Sequence, residues 1–368
     1  MTWEPGRLDD QRYLTEGDPS GMLLAVAASA AHVRTGYRTA VEAHVDRLAS
    51  QGRPRAIVVA GMGGSGIAGD ILTAVVGNGA PLPIVPLRSY QLPGWIGATD
   101  LVIAVSGSGE TEETVSVATQ AVRRGCTLLG VGAPGSQLEA IATQASAIYV
   151  PVPVSGQSRA NIWLLTIPLI VAGAALRLLP ADADLFERVA KSLEDMAHRC
   201  RPASESFINP GKSLAMDLAE SVPMIWGSSP VAAVAAYRLA CQLNTNAKYP
   251  AIYGELPEAD HNQVATFEGP LAERDIFADS AGPAIRLVVL RDVEEHPQVT
   301  RRREASLRLA RERDVAVTEL TAEGVHPLER MATLIGLGDY ASTYLALGYA
   351  IDPTPVSAIT ELKARITQ

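Results

Sequence analysis

Short unbroken apolar runs alternate with longer stretches of mixed polarity along the first half of this chain. Ala56–Ala60, Ile84–Leu87, Leu101–Val105, Thr127–Val131 and Ala147–Pro151 have the length of strands and almost no polar face. Between them, Ile67–Val76, Glu112–Arg124 and Ser136–Gln144 repeat apolar residues at helical spacing. Strands that stay apolar on both faces, separated by helices, predict an α/β fold with a parallel sheet covered on both sides. Residues 9–50 also read as helical, with polar and apolar positions mixed.

The alternation breaks at Pro151–Arg159, where two prolines and a glycine predict a loop. A helix apolar all round follows over Ala160–Leu176; Asn161 and Pro168 within it and Arg177 after it favour burial over a membrane span. Pro180 and the acidic stretch Asp182–Asp184 read as a crossing between domains. The pattern then restarts: Met224–Trp226 as a short strand, Gly227-Ser228-Ser229-Pro230 as a turn, and a helix through Gln242. Ile285–Leu290 and Val315–Leu320 are further strands, Pro297–Arg313 a charged surface helix, and His326–Leu347 a long apolar one. A tail over Asp352–Val356 leads to a short helix ending near Arg365. The two halves share an architecture without a close residue-level repeat. The expected division is residues 1–180 and 181–368.

Composition narrows the partners. The 368 residues are 47% hydrophobic and 19% charged, enough apolar material for a large core. A net charge of −9, from 31 Lys+Arg against 40 Asp+Glu, argues against nucleic acid as the main partner. Cys126, Cys200 and Cys241 are odd in number and widely spaced, which points away from a disulfide framework or a zinc site and towards a reducing cytoplasm. Met1–Tyr13 is polar and charged, unlike a signal peptide.

Two loops carry the candidate chemistry. Gly61-Met62-Gly63-Gly64-Ser65-Gly66 and Ser106-Gly107-Ser108-Gly109-Glu110-Thr111 each follow a strand and open a helix. Backbone N–H groups at such a turn, added to the helix dipole, favour an anion. Gly61-x-Gly63-x-x-Gly66 also matches the dinucleotide fingerprint, but that motif wants an acid about 20 residues on, and the second strand ends Pro86-Leu87-Arg88. Arg88 suits a 2′-phosphate, so an NADP site stays open on the residues alone, as does a tight turn without a ligand. Gly211-Lys212-Ser213 imitates the end of a Walker A loop, yet its first glycine position holds Ser206. Ser106, Ser108 and Thr111 are ordinary N-cap residues, although three hydroxyls with two glycines exceed what one cap needs. A third stretch, Cys241–Pro250 followed by Gly254–Asn262, is dense in polar residues and carries His261, the side-chain type best suited to proton exchange near neutrality.

Together these motifs resemble the sugar isomerase (SIS) domain family, and within it the bifunctional phosphoglucose/phosphomannose isomerases. The resemblance covers nearly the whole chain. It rests on Gly-Met-Gly-Gly-Ser-Gly at 61–66, the S-x-S-G-x-T-x-E-T pattern at 106–114 and Gln157-Ser158-Arg159-Ala160. It continues through Asn244–Lys248, Pro257–Asn262, and Asp352–Val356 leading to Leu362-Lys363.

The resemblance implies two SIS domains in a homodimer, with no metal or organic cofactor. It implies a hexose 6-phosphate whose phosphate is held by Gly63, Gly64, Ser65, Ser106, Ser108 and Thr111. The implied reaction interconverts glucose or mannose 6-phosphate with fructose 6-phosphate through a cis-enediol(ate). His261, donated by a partner subunit, would open the ring with help from Lys363, and Arg159 would stabilise the enediolate. One position departs from the pattern. The family reads Asn-Glu-Asn before the lysine, with the glutamate as base, whereas this chain reads Asn244-Thr245-Asn246. Thr245 keeps the family's spacing of 16 residues before His261. A hydroxyl has no useful basicity near neutrality. The tyrosine often found between the two serines is Gly107 here. Three expectations follow: another carboxylate, from among Glu255, Glu258, Asp260 and Glu110, takes the role; or the chain is a non-catalytic phosphosugar-binding protein; or it runs a related chemistry on another phosphosugar.

Overall fold

The structure, a computed structural model, describes residues 2–153, 156–272 and 284–366. Val154 and Ser155, in the loop read at 151–159, lie outside it. The described residues form two compact bodies, one of residues 28–194 with 326–329, the other of 1–27, 195–325 and 330–368. The first 27 residues, grouped with the first half in the sequence reading, thus cluster with the second body. They carry α1 (Gln11–Gly17) and α2 (Met22–Ala27). A buried lysine holds them there: Lys212 Nζ donates to Pro202 O at 2.8 Å and Ser204 O at 2.7 Å, and lies 3.3 Å from Asp9 Oδ1. Burial pulls its pKa down and the Asp9 pairing works against that.

The first body holds α3 (Ser29–Glu42) and a sheet of β1 (Ile57–Ala60), β2 (Ile84–Leu87), β3 (Leu101–Ser106), β4 (Thr127–Gly132) and β5 (Ile148–Pro151). All pairings are parallel, in the order β2-β1-β3-β4-β5. The central β1 and β3 are buried at every residue, as their unbroken apolar sequences require. Helices α4 (Gly63–Val76), α5 (Glu112–Arg123) and α6 (Gln137–Gln144) follow β1, β3 and β4, and α7 (Ile162–Ala175) and the part of α8 (Ala183–Arg199) up to Glu194 complete the body. Helix α7 keeps Pro168 inside it and is buried along most of its length. The chain leaves β1 in one direction and β3 in the other. That reversal opens a crevice at the carboxyl ends of the two strands, where ligands bind in such sheets. Both glycine- and serine-rich loops sit there.

The second body repeats the plan with β6 (Ser221–Gly227), β7 (Ile252–Glu255), β8 (Ala284–Arg291) and β9 (Ala316–Thr321) in the parallel order β7-β6-β8-β9. Around them lie α9 (Pro210–Leu218), α10 (Pro230–Gln242), α11 (Pro297–Glu312), α12 (Pro327–Gly348) and α13 (Ser357–Ile366). Its core joins Met224, Trp226, Phe267, Leu287, Val289 and Leu307. Strand β7 and helices α8 and α9 are absent from the sequence reading. The four residues of β7 lie two beyond Pro250 and include Gly254, both poor strand formers. The α/β class with parallel sheets flanked by helices is as expected.

Candidate active site

Four hydroxyls converge at the crevice between β1 and β3. Ser106 ends β3, with its side chain fully buried. Its Oγ lies 2.9 Å from Thr111 Oγ1 and 3.5 Å from Ser108 Oγ, and accepts from Gly109 N at 3.0 Å. Ser65, from the first turn of α4, accepts from Gly107 N at 3.2 Å and ties the two loops together. Thr111 is the N-cap residue of α5 but makes no side-chain capping bond, so its hydroxyl turns to the cluster and not to its own helix. Two helix N-termini therefore open onto one group of hydroxyls. The glycines allow this: Gly63 and Gly109 hold φ of +54° and +70°, the region side chains rarely adopt. A Cβ at Gly109 would sit 2.1 Å from Ser136 Oγ, whereas none at Gly63 or Gly64 would meet anything within 4 Å, which leaves that wall of the crevice open. Helix α4 starts at Gly63, four residues earlier than the apolar pattern at Ile67 suggests; glycines carry no hydrophobic signal.

Arg88 and Asp70 brace this loop. They form an ion pair across β2 and α4, and a Cβ at Gly66 would come within 3.0 Å of Arg88 Nε. Burial raises Asp70 while Arg88 opposes the rise. Sequence reasoning weighed Arg88 for a cofactor phosphate and missed Asp70, which looks in sequence like one more polar residue of α4. Arg159 lies in the same body, half-buried in a short turn over Ser158–Ala160 just before α7. That turn is closed by Ala160 N donating to Gln157 O at 2.9 Å and Asn161 Nδ2 donating to the same oxygen at 3.2 Å.

The other predicted residues belong to the second body. Thr245 lies in a wider turn, Leu243–Ala247, that continues α10. Its hydroxyl donates to Cys241 O at 2.8 Å, within its own helix. Helix α12 holds this turn from behind: Asp339 takes bonds from Arg238 at 2.8 Å and Gln242 at 3.0 Å, and Asn246 Nδ2 donates to Ser342 Oγ at 3.0 Å. Lys248 Nζ donates to Asp352 O at 2.9 Å and so anchors the tail that leads to α13, where Lys363 is exposed. Next to this turn, Tyr249 OH bonds the backbone of Ser221, the first residue of β6, accepting from its N at 2.9 Å. The Thr245 turn therefore lies at the amino edge of the second sheet. His261 follows the carboxyl end of β7, on an exposed turn over Glu258–His261. Within one body, Thr245 and His261 are at opposite edges.

Of the four carboxylates proposed to replace the base, three are engaged. Asp260 Oδ1 accepts from Ser306 Oγ at 2.7 Å, Glu110 Oε1 from Gln137 N at 2.8 Å, and Glu258 Oε1 from Asn262 Nδ2 at 3.4 Å. Glu255 ends β7 on the same edge as His261, and its side chain makes no hydrogen bond or ion pair among the described residues. Burial raises its pKa above the usual carboxylate range although the residue reaches solvent. Among the described residues no group of three or more His, Cys, Asp or Glu could hold a metal, and no helix is long and apolar enough to cross a membrane.

Residues 207–366 match the model of the bacterial phospho-glucose isomerase C-terminal SIS domain. The bifunctional phosphoglucose/phosphomannose isomerase of Caldicellulosiruptor bescii is 32% identical over 312 residues, 85% of this chain and 89% of the relative. That of Aquifex aeolicus is 29% identical, over 85% and 90% of the two chains. The fold is shared with tagatose-6-phosphate ketose/aldose isomerase from Escherichia coli, with a TM-score of 0.66 at 15% identity over 94% of this chain and 95% of that one. With the glycine and serine loops at one crevice and a relative of that identity matched along nearly its whole length, the chain belongs to the bifunctional phosphoglucose/phosphomannose isomerase family.

Proposed function

We propose that this chain binds a hexose 6-phosphate and interconverts its aldose and ketose forms, at a rate held down by the threonine at position 245. The observation that carries the reading is the convergence of Ser65, Ser106, Ser108 and Thr111 on the N-termini of α4 and α5. Uncharged donors at two helix ends suit a dianion that must be held firmly and released. Gly63 and Gly64 line the open wall. Arg159 is the permanent cation for the enediolate. His261 and Lys363 serve ring opening, with His261 coming from the second copy of a homodimer. The decisive experiment follows fructose 6-phosphate in D₂O by NMR. Glucose or mannose 6-phosphate carrying deuterium at C2 is expected; binding without exchange would leave a phosphosugar-binding protein, the reading that the tied hydroxyl of Thr245 favours.

Ser108→Ala combined with Thr111→Ala is expected to weaken fructose 6-phosphate binding by more than about tenfold, since each hydrogen bond to a charged group is worth about 1.5–3 kcal/mol. Titration calorimetry reads this directly. Unchanged affinity would place the phosphate elsewhere.

Glu255 is the carboxylate left to move the proton. It would take the C2 proton of the aldose as its C–H electrons form the C1=C2 bond and the carbonyl electrons move to O1. The O2 hydroxyl proton passes to O1, and as the O2 electrons form the C2=O2 bond the C1=C2 electrons take the carried proton at C1, leaving the ketone at C2. Glu255→Gln is expected to slow exchange at least about tenfold, the lower range for losing a general base. A base is active above its own pKa, so the upward shift at Glu255 moves the acid limb of the rate above the ordinary carboxylate range. Exchange at the parent rate in Glu255→Gln would remove it from the mechanism.

A further inference from the structure

The turn Gly227-Ser228-Ser229-Pro230 occupies in the second sheet the place that Gly61–Ser65 occupies in the first. In the first body Ala60 pairs with Ala104, two residues before Ser106 and two before Met62, the N-cap residue of α4. In the second, Gly227 pairs with Leu290, two residues before Asp292 and two before Ser229, the N-cap residue of α10. Asp292 thus stands where Ser106 stands, at the second sheet's own point of strand reversal.

Its carboxylate is enclosed by donors. Ser229 Oγ donates to Asp292 Oδ2 at 2.8 Å, Val293 N donates to Oδ1 at 2.8 Å, and Arg330 Nε lies 2.7 Å from Oδ1. Ser228 Oγ accepts from Asp292 N at 2.9 Å, which fixes the residue's backbone. Asp292 and Arg330 are each 2% exposed. A buried anion, a buried guanidinium, serine hydroxyls and a helix N-terminus are the parts of an oxyanion site. Here the anion is supplied by the chain itself.

We infer that the second body contains the counterpart of the hydroxyl cradle, held shut by the carboxylate of Asp292, and that removing this carboxylate opens a site for a phosphate dianion. The comparison with the first cradle rests on the phosphate reading given above. Arg330 explains why the closure is firm: it also pairs with Glu294 at 2.7 Å and donates to Val325 O at 2.6 Å, so it stays in place whether or not Asp292 is there.

The test counts inorganic phosphate bound to the full chain by equilibrium dialysis. The parent is expected to show a single site per chain, and Asp292→Ser to show a second. A folded Asp292→Ser with no added site overturns the inference, and so does a parent that already binds phosphate at two. The two readings separate cleanly: no binding by the parent but binding by Asp292→Ser would remove the phosphate reading of the first cradle and leave this one standing. Should Asp292→Ser fail to fold, Asp292→Ala removes the carboxylate and leaves the space empty. Phosphate should then raise its melting temperature more than the parent's, and an equal rise in both overturns the inference.

Discussion

Thr245→Glu is expected to raise the rate of C2 proton exchange by about 10²–10⁴-fold, the usual contribution of a positioned general base. The turn that would carry the new carboxylate is already built. Helix α12 holds it through Asp339 and Ser342, and Lys248 closes it against the tail. Thr245 is part-buried, and among the described residues its hydroxyl bonds only carbonyl oxygens of its own helix, so replacing it removes no hydrogen bond to another element. With the phosphate held in the other body, as proposed, its affinity should stay at the parent value, so the gain would appear in kcat. No gain in a folded variant would mean that Glu255, or another group, already moves the proton at full rate, or that the turn no longer faces sugar. Pairing Thr245→Glu with Glu255→Gln tells these apart. Exchange restored in the double variant shows the old position working again, and exchange lost shows that Glu255 carries the step.

Asp339→Ala should cost about 3–5 kcal/mol of stability, the loss that follows when one partner of a buried ion pair is removed. Arg238, 2% exposed, would lose the carboxylate 2.8 Å from it, and Gln242 would lose its acceptor. Burial raises Asp339, with Arg238 and Gln242 opposing the rise. Urea unfolding followed by tryptophan fluorescence measures the change. Replacing both partners with apolar residues of similar volume should recover much of it. If the single variant unfolds at the parent's midpoint, the pair is not what secures α10 to α12.

The parallel sheets were legible because both faces of β1 and β3 are apolar, a pattern few other elements produce. The two loops were legible too: glycine and serine at the end of a strand stand out in sequence, and the structure brings Ser106, Thr111 and Ser65 to one crevice. What stayed hidden depends on residues distant in sequence. Nothing near Asp292 marks it as a plug, since its partners are the turn at 228–229 and Arg330 in a long apolar helix. Asp339 likewise reads as one polar residue in α12 until Arg238 is seen beside it. Strand β7 was missed because it is an edge of four residues with a glycine inside it, and without β7 the direction of the chain between Thr245 and His261 could not be followed. The grouping of residues 1–27 with the second body rests on contacts distant in sequence, among them Asp9 with Ser206 and Lys212, Arg7 with Gly348 and Trp3 with Tyr349.

The opposite edges occupied by Thr245 and His261 have a genetic consequence. The 7 residues of β6, at roughly 3.3 Å each, span roughly 20 Å, too far for one sugar carbon to be served by both residues of one chain. If both act on the same sugar, each site draws them from different copies. A chain damaged at position 261 and a chain damaged in the turn at 245 would then each be dead alone, yet a mixture could assemble one intact site. Complementation between two defective alleles, and a rate that falls with the square of protein concentration on dilution, are properties that such a layout builds into the organism as well as the molecule.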